Sequence, residues 1–279
     1  MEIKNEFVEE SLVGMKQMSL EEQQERWMDL QDITELCKQN KEKILYDDDI
    51  WDIDIGEGEE FANWLYGYHS PEEDELARFI LELIQKGWKD DNDISDSNRI
   101  DISFGKKEHA VSNLKEYLQE RRRCLDKTKT VADYYEFMLT CFPNSVFAEN
   151  MKSGLEGIQN FSAHKAEITK NLTVLDEEAL ILYEKYKHNL KEAIDILETK
   201  LLACSLDPNH RKELIFEFQY EEIENGEKIV KRKEICCEPH LKLIRLDSNL
   251  RIYFYWKDEQ IGDGKKVLIG RIGGHPYKK

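Results

Sequence analysis

The stretch Glu238–Tyr277, EPHLKLIRLDSNLRIYFYWKDEQIGDGKKVLIGRIGGHPY, decides how the chain divides. Within it, 251–256 (RIYFYW) and 266–272 (KVLIGRI) are dense in β-branched and aromatic residues, which suit a pleated, half-buried surface. The connection between them is polar and holds Gly262 and Gly264, so the two runs read as an antiparallel hairpin. Alternation puts Ile252, Phe254 and Trp256 on one face and Arg251, Tyr253 and Tyr255 on the other. With the first trio packed inward, the opposite face becomes a ridge of Arg251, Tyr253, Tyr255 and Arg271. One register sets Arg251 opposite Arg271, which like charges tolerate best with an anion between them. A register two residues away separates them. A solvated sheet face and a phosphate-binding face both fit this pattern.

Just upstream, Leu214, Phe216, Phe218 and Tyr220 alternate with Ile215, Glu217, Gln219 and Glu221, an amphipathic strand. Asn225-Gly226 is a hairpin turn signal. A two-residue turn there sets Lys231 and Lys233 beside Tyr220 and Phe218 on the apolar face, a conflict that predicts a bulge or a longer loop. The run Lys231–Lys233 also reads as an exposed edge kept polar against sheet pairing. About four antiparallel strands are thus expected in a small domain, 205–279.

Charge follows the same division. From Lys228 onward thirteen Lys/Arg face six Asp/Glu, a net of +7, while the whole chain carries −18, so residues 1–227 carry −25. A basic end on an acidic body suits an anionic ligand at one place and argues against broad coating of nucleic acid. No apolar run approaches the length of a membrane span. The first residues, MEIKNEFVEESL, are acidic and amphipathic, unlike a secretory signal. The six cysteines (37, 124, 141, 204, 236, 237) form no CxxC pair, which fits a reducing cytoplasm without structural disulfides.

Residues 1–204 read as an acidic helical region with a sub-boundary near 90–105. Ser19-Leu-Glu-Glu22 is a capping box opening a helix to about Leu45. Helices are also expected over 59–68, over 71–88 behind the cap Ser70 and Pro71, over 106–125, over 131–141 and over 147–158. The carboxylates of 46–60 and of 91–95 break the spacing of a calcium loop, and a solvated loop is the simpler reading. Arg121-Arg122-Arg123 complements a helix C-terminus or supplies a second nucleic-acid contact. The longest helix is expected over 177–204. Its seam of Ala179, Tyr183, Tyr186, Leu190, Ala193, Leu197 and Leu201 packs either within the bundle or in a homodimer.

Phosphate loops of the GxxxxGK[ST] type, GxGxxG, HExxH and GxSxG are absent, and the seven histidines lack metal-ligand spacing. No metal or other cofactor is therefore expected. The chemistry that remains is acid–base work on a phosphodiester, with cations holding the phosphate and a histidine moving the proton. His275, just past the last strand near Arg251 and Arg271, is the candidate proton carrier, and a turn residue is the simpler reading of it.

The order of these residues carries a resemblance. A Pro-His-Leu-Lys-Leu segment, the strand Arg251-Ile-Tyr-Phe-Tyr, a turn, a strand ending in Arg271, and His275 and Tyr277 to close resemble the C-terminal half of RelE/YoeB-type toxins, small ribonucleases of toxin–antitoxin systems. The resemblance covers about 40 to 70 residues. It implies Arg251 as the phosphate-binding strand arginine, His275 as general acid and Tyr277 as the terminal aromatic. Pro276 separates His275 from Tyr277, Lys278-Lys279 extend the end, a strand hairpin stands where the family has a helical one, and Glu238 is only a nominal base. The expectation is an α+β protein, mainly helical up to 204, then a small antiparallel sheet domain. The expected activity is metal-independent RNA cleavage or RNA binding in a toxin or phage-defence setting. Arg251, Arg271, His275 and Tyr277 would be catalytic, and Tyr253, Tyr255, Lys242, Arg245 and His240 would contact substrate. Partners would be RNA or the ribosome, and an inhibitor or defence-complex subunit. The alternative is a non-enzymatic module whose basic β face docks on an acidic protein.

Overall fold

The computed structural model describes residues 3–90, 98–201, 203–224, 226–243 and 249–276. The chain divides into two compact units, 1–124 and 125–279. This division lies well before the 204/205 boundary expected from composition, because residues 125–201 supply a strand and helices to the C-terminal unit.

The first unit is an alternating α/β structure rather than a helical region. Its elements are β1 (Lys4–Phe7), α1 (Leu20–Gln39), β2 (Ile44–Tyr46), α2 (Phe61–Leu65), α3 (Pro71–Gly87), β3 (Trp88–Asp90), β4 (Arg99–Ile102) and α4 (Leu114–Leu125). The strands form a parallel sheet in the order β3-β2-β1-β4. Strands of three or four residues are too short to stand out beside the helices, even though β1 and β4 alternate buried with more accessible positions. Ser19 and Ser70 form complete capping boxes with Glu22 and Glu73. Helix α1 stops at Gln39, and the apolar residues assigned to its end form β2 instead. Trp27 is fully buried, 5.1 Å from the Phe104 ring and stacked at 6.2 Å on Phe61, while Phe7 packs 4.7 Å from Trp88.

In the acidic segment 46–60 the carboxylates cap the chain itself. Asp47 accepts from the Asp49 amide at 3.1 Å and Asp54 from the Gly56 amide at 2.8 Å. Among the described residues no group of three or more His, Cys, Asp or Glu is placed to hold a metal ion. No described helix is long and apolar enough to cross a membrane.

The second unit holds α5 (Val131–Met138), β5 (Ser145–Phe147), α6 (Met151–Glu156), α7 (Phe161–Tyr186), α8 (Leu190–Leu201), β6 (Cys204–Ser205), β7 (Ile215–Glu224), β8 (Glu227–Cys236), β9 (His240–Lys242), β10 (Arg251–Tyr255) and β11 (Val267–Gly273). The expected helix over 177–204 is two helices. Asn189 breaks it, its amide bonding the Tyr186 carbonyl at 2.7 Å and its side chain reaching Glu192 of the new first turn. The two halves pack against each other, with Lys200 paired to Glu178. The seam is thus shared out inside the unit: Ala179, Ala193 and Leu197 are buried, and Tyr183 packs 6.1 Å from Trp256.

The principal sheet has five strands in the order β5-β11-β10-β9-β6. It is mixed and not purely antiparallel, because β5 runs parallel to β11. Residues 145–147, expected in a loop and helix, are held as that edge strand by Asp176 of α7, which accepts from the Asn144 amide (2.9 Å) and the Ser145 hydroxyl (2.8 Å). The hairpin β10–β11 is as expected. Its register sets Arg251 opposite Gly273 and Tyr253 opposite Arg271, with a bulge between Tyr253 and Phe254.

Strands β7 and β8 form a separate two-stranded ribbon of ten residue pairs. The bulge predicted near its turn is absent, and the plain register does put Lys231 beside Tyr220 and Lys233 beside Phe218. Both lysines resolve the conflict by reach. Lys233 runs its ammonium to Asp258 (2.7 Å) and Gln260 (2.8 Å), and Lys231 pairs with Glu222 (2.8 Å) and Glu224. The ribbon's root packs Leu214, Phe218 and Ile235 with Tyr253 and Leu268 of the sheet. Gly270 lies beneath this contact, where a Cβ would sit 2.4 Å from the Phe216 ring, so only glycine lets the ribbon approach. Towards the tip Ile223 and Val230 are exposed.

Candidate functional site at the end of the C-terminal sheet

Cross-strand pairing collects most of the sequence-predicted residues on one face. In successive layers, Lys242, Arg251 and Gly273 stand side by side, then His240, Tyr253 and Arg271. Arg251 and Arg271 are therefore diagonal neighbours rather than a directly opposed pair, separated by about the 7–8 Å usual for such positions. An anion can span that gap without the arginines having to meet.

This face is not the open ridge that alternation suggested. Tyr253 is fully buried because the ribbon's Phe216 packs 6.2 Å from its ring, with His240 at 5.2 Å. Its hydroxyl emerges at the end of the sheet and hydrogen-bonds His275 Nδ1 at 2.8 Å. His275 stands past β11, half-buried, in the turn opened by Gly273 and Gly274. Arg271 is half-buried too, its Nε donating to the Gly274 carbonyl at 3.0 Å, a bond that ties it to the same turn. Burial lowers its pKa, opposed by the Tyr253 hydroxyl nearby. Gly154 of α6 fits against this strand: a Cβ there would lie 2.5 Å from the Ile272 carbonyl oxygen and 3.5 Å from Arg271 Cγ.

His240 is nearly inaccessible, and burial pushes its pKa down to about 4, with the Arg251 and Lys242 charges acting in the same direction against the Glu238 carbonyl. It is neutral at pH 7, with Nε2 hydrogen-bonded to the Ser205 hydroxyl at 2.9 Å. This makes His240 a wall of the site rather than a charged substrate contact. Ser205 was not singled out from sequence, and no signal marks it: it lies 35 residues from His240 in the chain and meets it only because β6 pairs with β9. Glu238, the nominal base, is bound by Arg211 at 2.5 Å. Tyr255, at the far end of β10 from His275, is 38% exposed, with a pKa raised by partial burial. Tyr277 and Arg245 lie outside the described residues.

Other charged motifs are accounted for by packing. Arg121 and Arg122 are buried, and Arg123, which is exposed, pairs with Glu120 at 3.0 Å, so the triple arginine presents a single guanidinium at the surface. Arg121 binds Glu42 through both terminal nitrogens (2.6 and 2.9 Å) and donates to the Tyr117 hydroxyl at 2.9 Å; that hydroxyl bonds Asn5 at 2.7 Å. On the ribbon, Lys228 pairs with Glu221 and Arg232 with Glu149. None of the six cysteines forms a disulfide, and burial drives Cys37 up to about 11 and Cys204 up to about 12, the direction of inert thiols. At the parallel sheet's switch point between β1 and β4, where open α/β sheets take ligands, the Ser11 hydroxyl accepts from the Phe104 amide at 2.8 Å.

Comparison with known proteins returns nothing: no family model, curated protein or solved structure matches this chain.

Proposed function

We propose that the end of the C-terminal sheet binds RNA phosphate and supports metal-independent cleavage of the phosphodiester. The observation that carries this reading is the Tyr253–His275 hydrogen bond beside Arg271. The Tyr253 hydroxyl orients the His275 ring through Nδ1, and the imidazole would exchange a proton with a substrate oxygen. Arg251 and Arg271 supply charge for a phosphate and its developing negative oxygens. The half-burial of Arg271 and His275 strengthens such contacts relative to water. This arrangement is in keeping with the resemblance of 238–277 to RelE/YoeB-type toxins, with Tyr253 buried inside the site in addition to any terminal aromatic.

The test uses the full chain and a labelled single-stranded RNA in the presence of a chelator. RNA is cut, and His275→Ala and Arg251→Ala each reduce the rate by two orders of magnitude or more, in the range of removed general acids and oxyanion donors, about 10²–10⁴-fold. Tyr253→Phe keeps the ring and removes only the hydroxyl, with a loss of about tenfold expected for one hydrogen bond worth about 1.4 kcal/mol. Binding weakens steeply with salt. A folded chain that neither binds nor cuts RNA at low salt overturns the proposal.

A second reading, a protein-interaction module, draws on the ribbon. Its cations are used internally, but Ile223, Ile229 and Val230 near the tip are exposed, 72%, 38% and 60%. A partner would then be held by an apolar tip rather than by the basic face. Ile223→Lys with Val230→Lys would abolish capture of such a partner and leave RNA cleavage intact.

A further inference from the structure

A cleft of about 650 Å³ lies within the second unit, away from the His275 pair. It opens between the start of α8, the segment around 206–212, the root of the ribbon and the end of β10. Neither Tyr253, Arg251, Arg271 nor His275 lines it. Its volume falls in the range of small-molecule sites, roughly 300–1,000 Å³.

Two features of its lining point to a ligand. The first is that half-exposed apolar side chains gather here: Leu190 (37%), Leu206 (48%), Ile215 (45%) and Tyr255 (38%), over a floor that includes Trp256. Single exposed apolar residues need no explanation, but four around one concavity leave a wall that water covers poorly. The second is charge. The mouth carries Arg211, Lys212 and Glu238. Glu238 is taken by Arg211 at 2.5 Å, and among the described residues Lys212 has no ion-pair partner. The mouth therefore has one positive charge in excess beside an apolar wall.

We infer that this cleft binds a small amphipathic carboxylate, an aliphatic chain lying along Leu190, Leu206, Ile215 and Trp256 with its carboxylate at Lys212. An uncharged chain of equal length fits the wall but leaves the lysine uncompensated. A highly charged ligand fits the lysine but strands the wall.

The test is calorimetric titration of the full chain with decanoate below its micellar concentration, with decan-1-ol for comparison. Decanoate binds one per chain, and decan-1-ol binds about tenfold more weakly, the loss of one exposed charge contact of about 1.4 kcal/mol. Lys212→Glu weakens decanoate at least tenfold and leaves decan-1-ol unchanged. Leu206→Glu, at a position already half exposed and so compatible with folding, weakens both; circular dichroism confirms that each variant is folded. Absence of saturable decanoate binding to the folded parent overturns the inference. So does decanoate binding that ignores Lys212→Glu or Leu206→Glu. RNA cleavage is unaffected by either substitution, so the cleft and the His275 site stand or fall separately.

Discussion

The two units handle buried charge in opposite ways. In the first, Arg121 is fully buried and bound to the Glu42 carboxylate and to the Tyr117 hydroxyl, which in turn donates to Asn5. In the second, Arg271 stands half-accessible at a sheet end, its Nε held by the Gly274 carbonyl and its neighbour His275 bonded to the Tyr253 hydroxyl. A buried cation matched by a carboxylate is a structural device. A half-buried cation held by neutral groups keeps its charge available. That contrast, not the number of basic residues, is what separates a fold element from a candidate site.

The comparison breaks most readily at Arg121. Arg121→Ala leaves the Glu42 carboxylate without its guanidinium, and the first unit loses about 3–5 kcal/mol. Hydrogen exchange read by mass spectrometry, which reports each unit by itself, would show the loss of protection confined to 1–124. Arg271→Ala, by contrast, removes RNA cleavage with a much smaller change of protection in 125–279. Equal losses in the two units would erase the distinction.

The hairpin's seat on the sheet is next. Gly270→Ala drives a methyl group into the Phe216 ring and the Cys237 sulfur, with a cost of about 1–3 kcal/mol as overpacking. Exchange should rise in 214–220 and 233–237 before it rises in α7.

A comparable effect comes from pH. The folded pKa of His240, about 4, lies below the ordinary value near 6.5, so between these limits the unfolded chain takes the proton first. Its contribution is complete above about pH 6.5 and is lost as the pH falls towards 4, at most about 3 kcal/mol. Urea titrations at pH 7 and 4.5 check this: His240→Gln should lose less stability over that interval than the parent. A parent and variant with the same pH dependence would mean that His240 is solvated.

The smallest effect belongs to the ribbon's exposed pairs. Lys228→Ala removes an ion pair with Glu221 at the exposed surface, with a loss of stability smaller than any of those above and no change in RNA cleavage. A larger loss would show that the ribbon's charges matter beyond their own pairing.

Much of the second unit's sheet is legible in the chain. Arg251–Tyr255 and Val267–Gly273 are dense in strand formers, and their pairing follows from proximity. The candidate cluster is legible in the same way: His240, Arg251, Tyr253, Arg271 and His275 were selected by residue type, and adjacent strands bring them together. The first unit's parallel sheet was not legible, since strands such as Ile44–Tyr46 and Trp88–Asp90 are three residues long and flank helices whose periodicity dominates any window. The lysines of β8 misled for a different reason: the pattern of apolar and charged letters ignores that a lysine stem can lie on an apolar face while its ammonium reaches out.

What the sequence determined by itself are local matters: the serine caps of α1 and α3, the β7–β8 and β10–β11 pairings and the uneven charge. Each depends on residues within one or two turns or one hairpin of each other, where propensity and pattern act directly. Tertiary structure alone decided the rest. Register placed Arg251 across from Gly273, the ribbon buried Tyr253, and β6 brought Ser205 to His240. The parallel pairing of β5 with β11 joined 145–147 to a sheet more than a hundred residues away. These contacts depend on packing between segments distant in the chain, which no local pattern encodes.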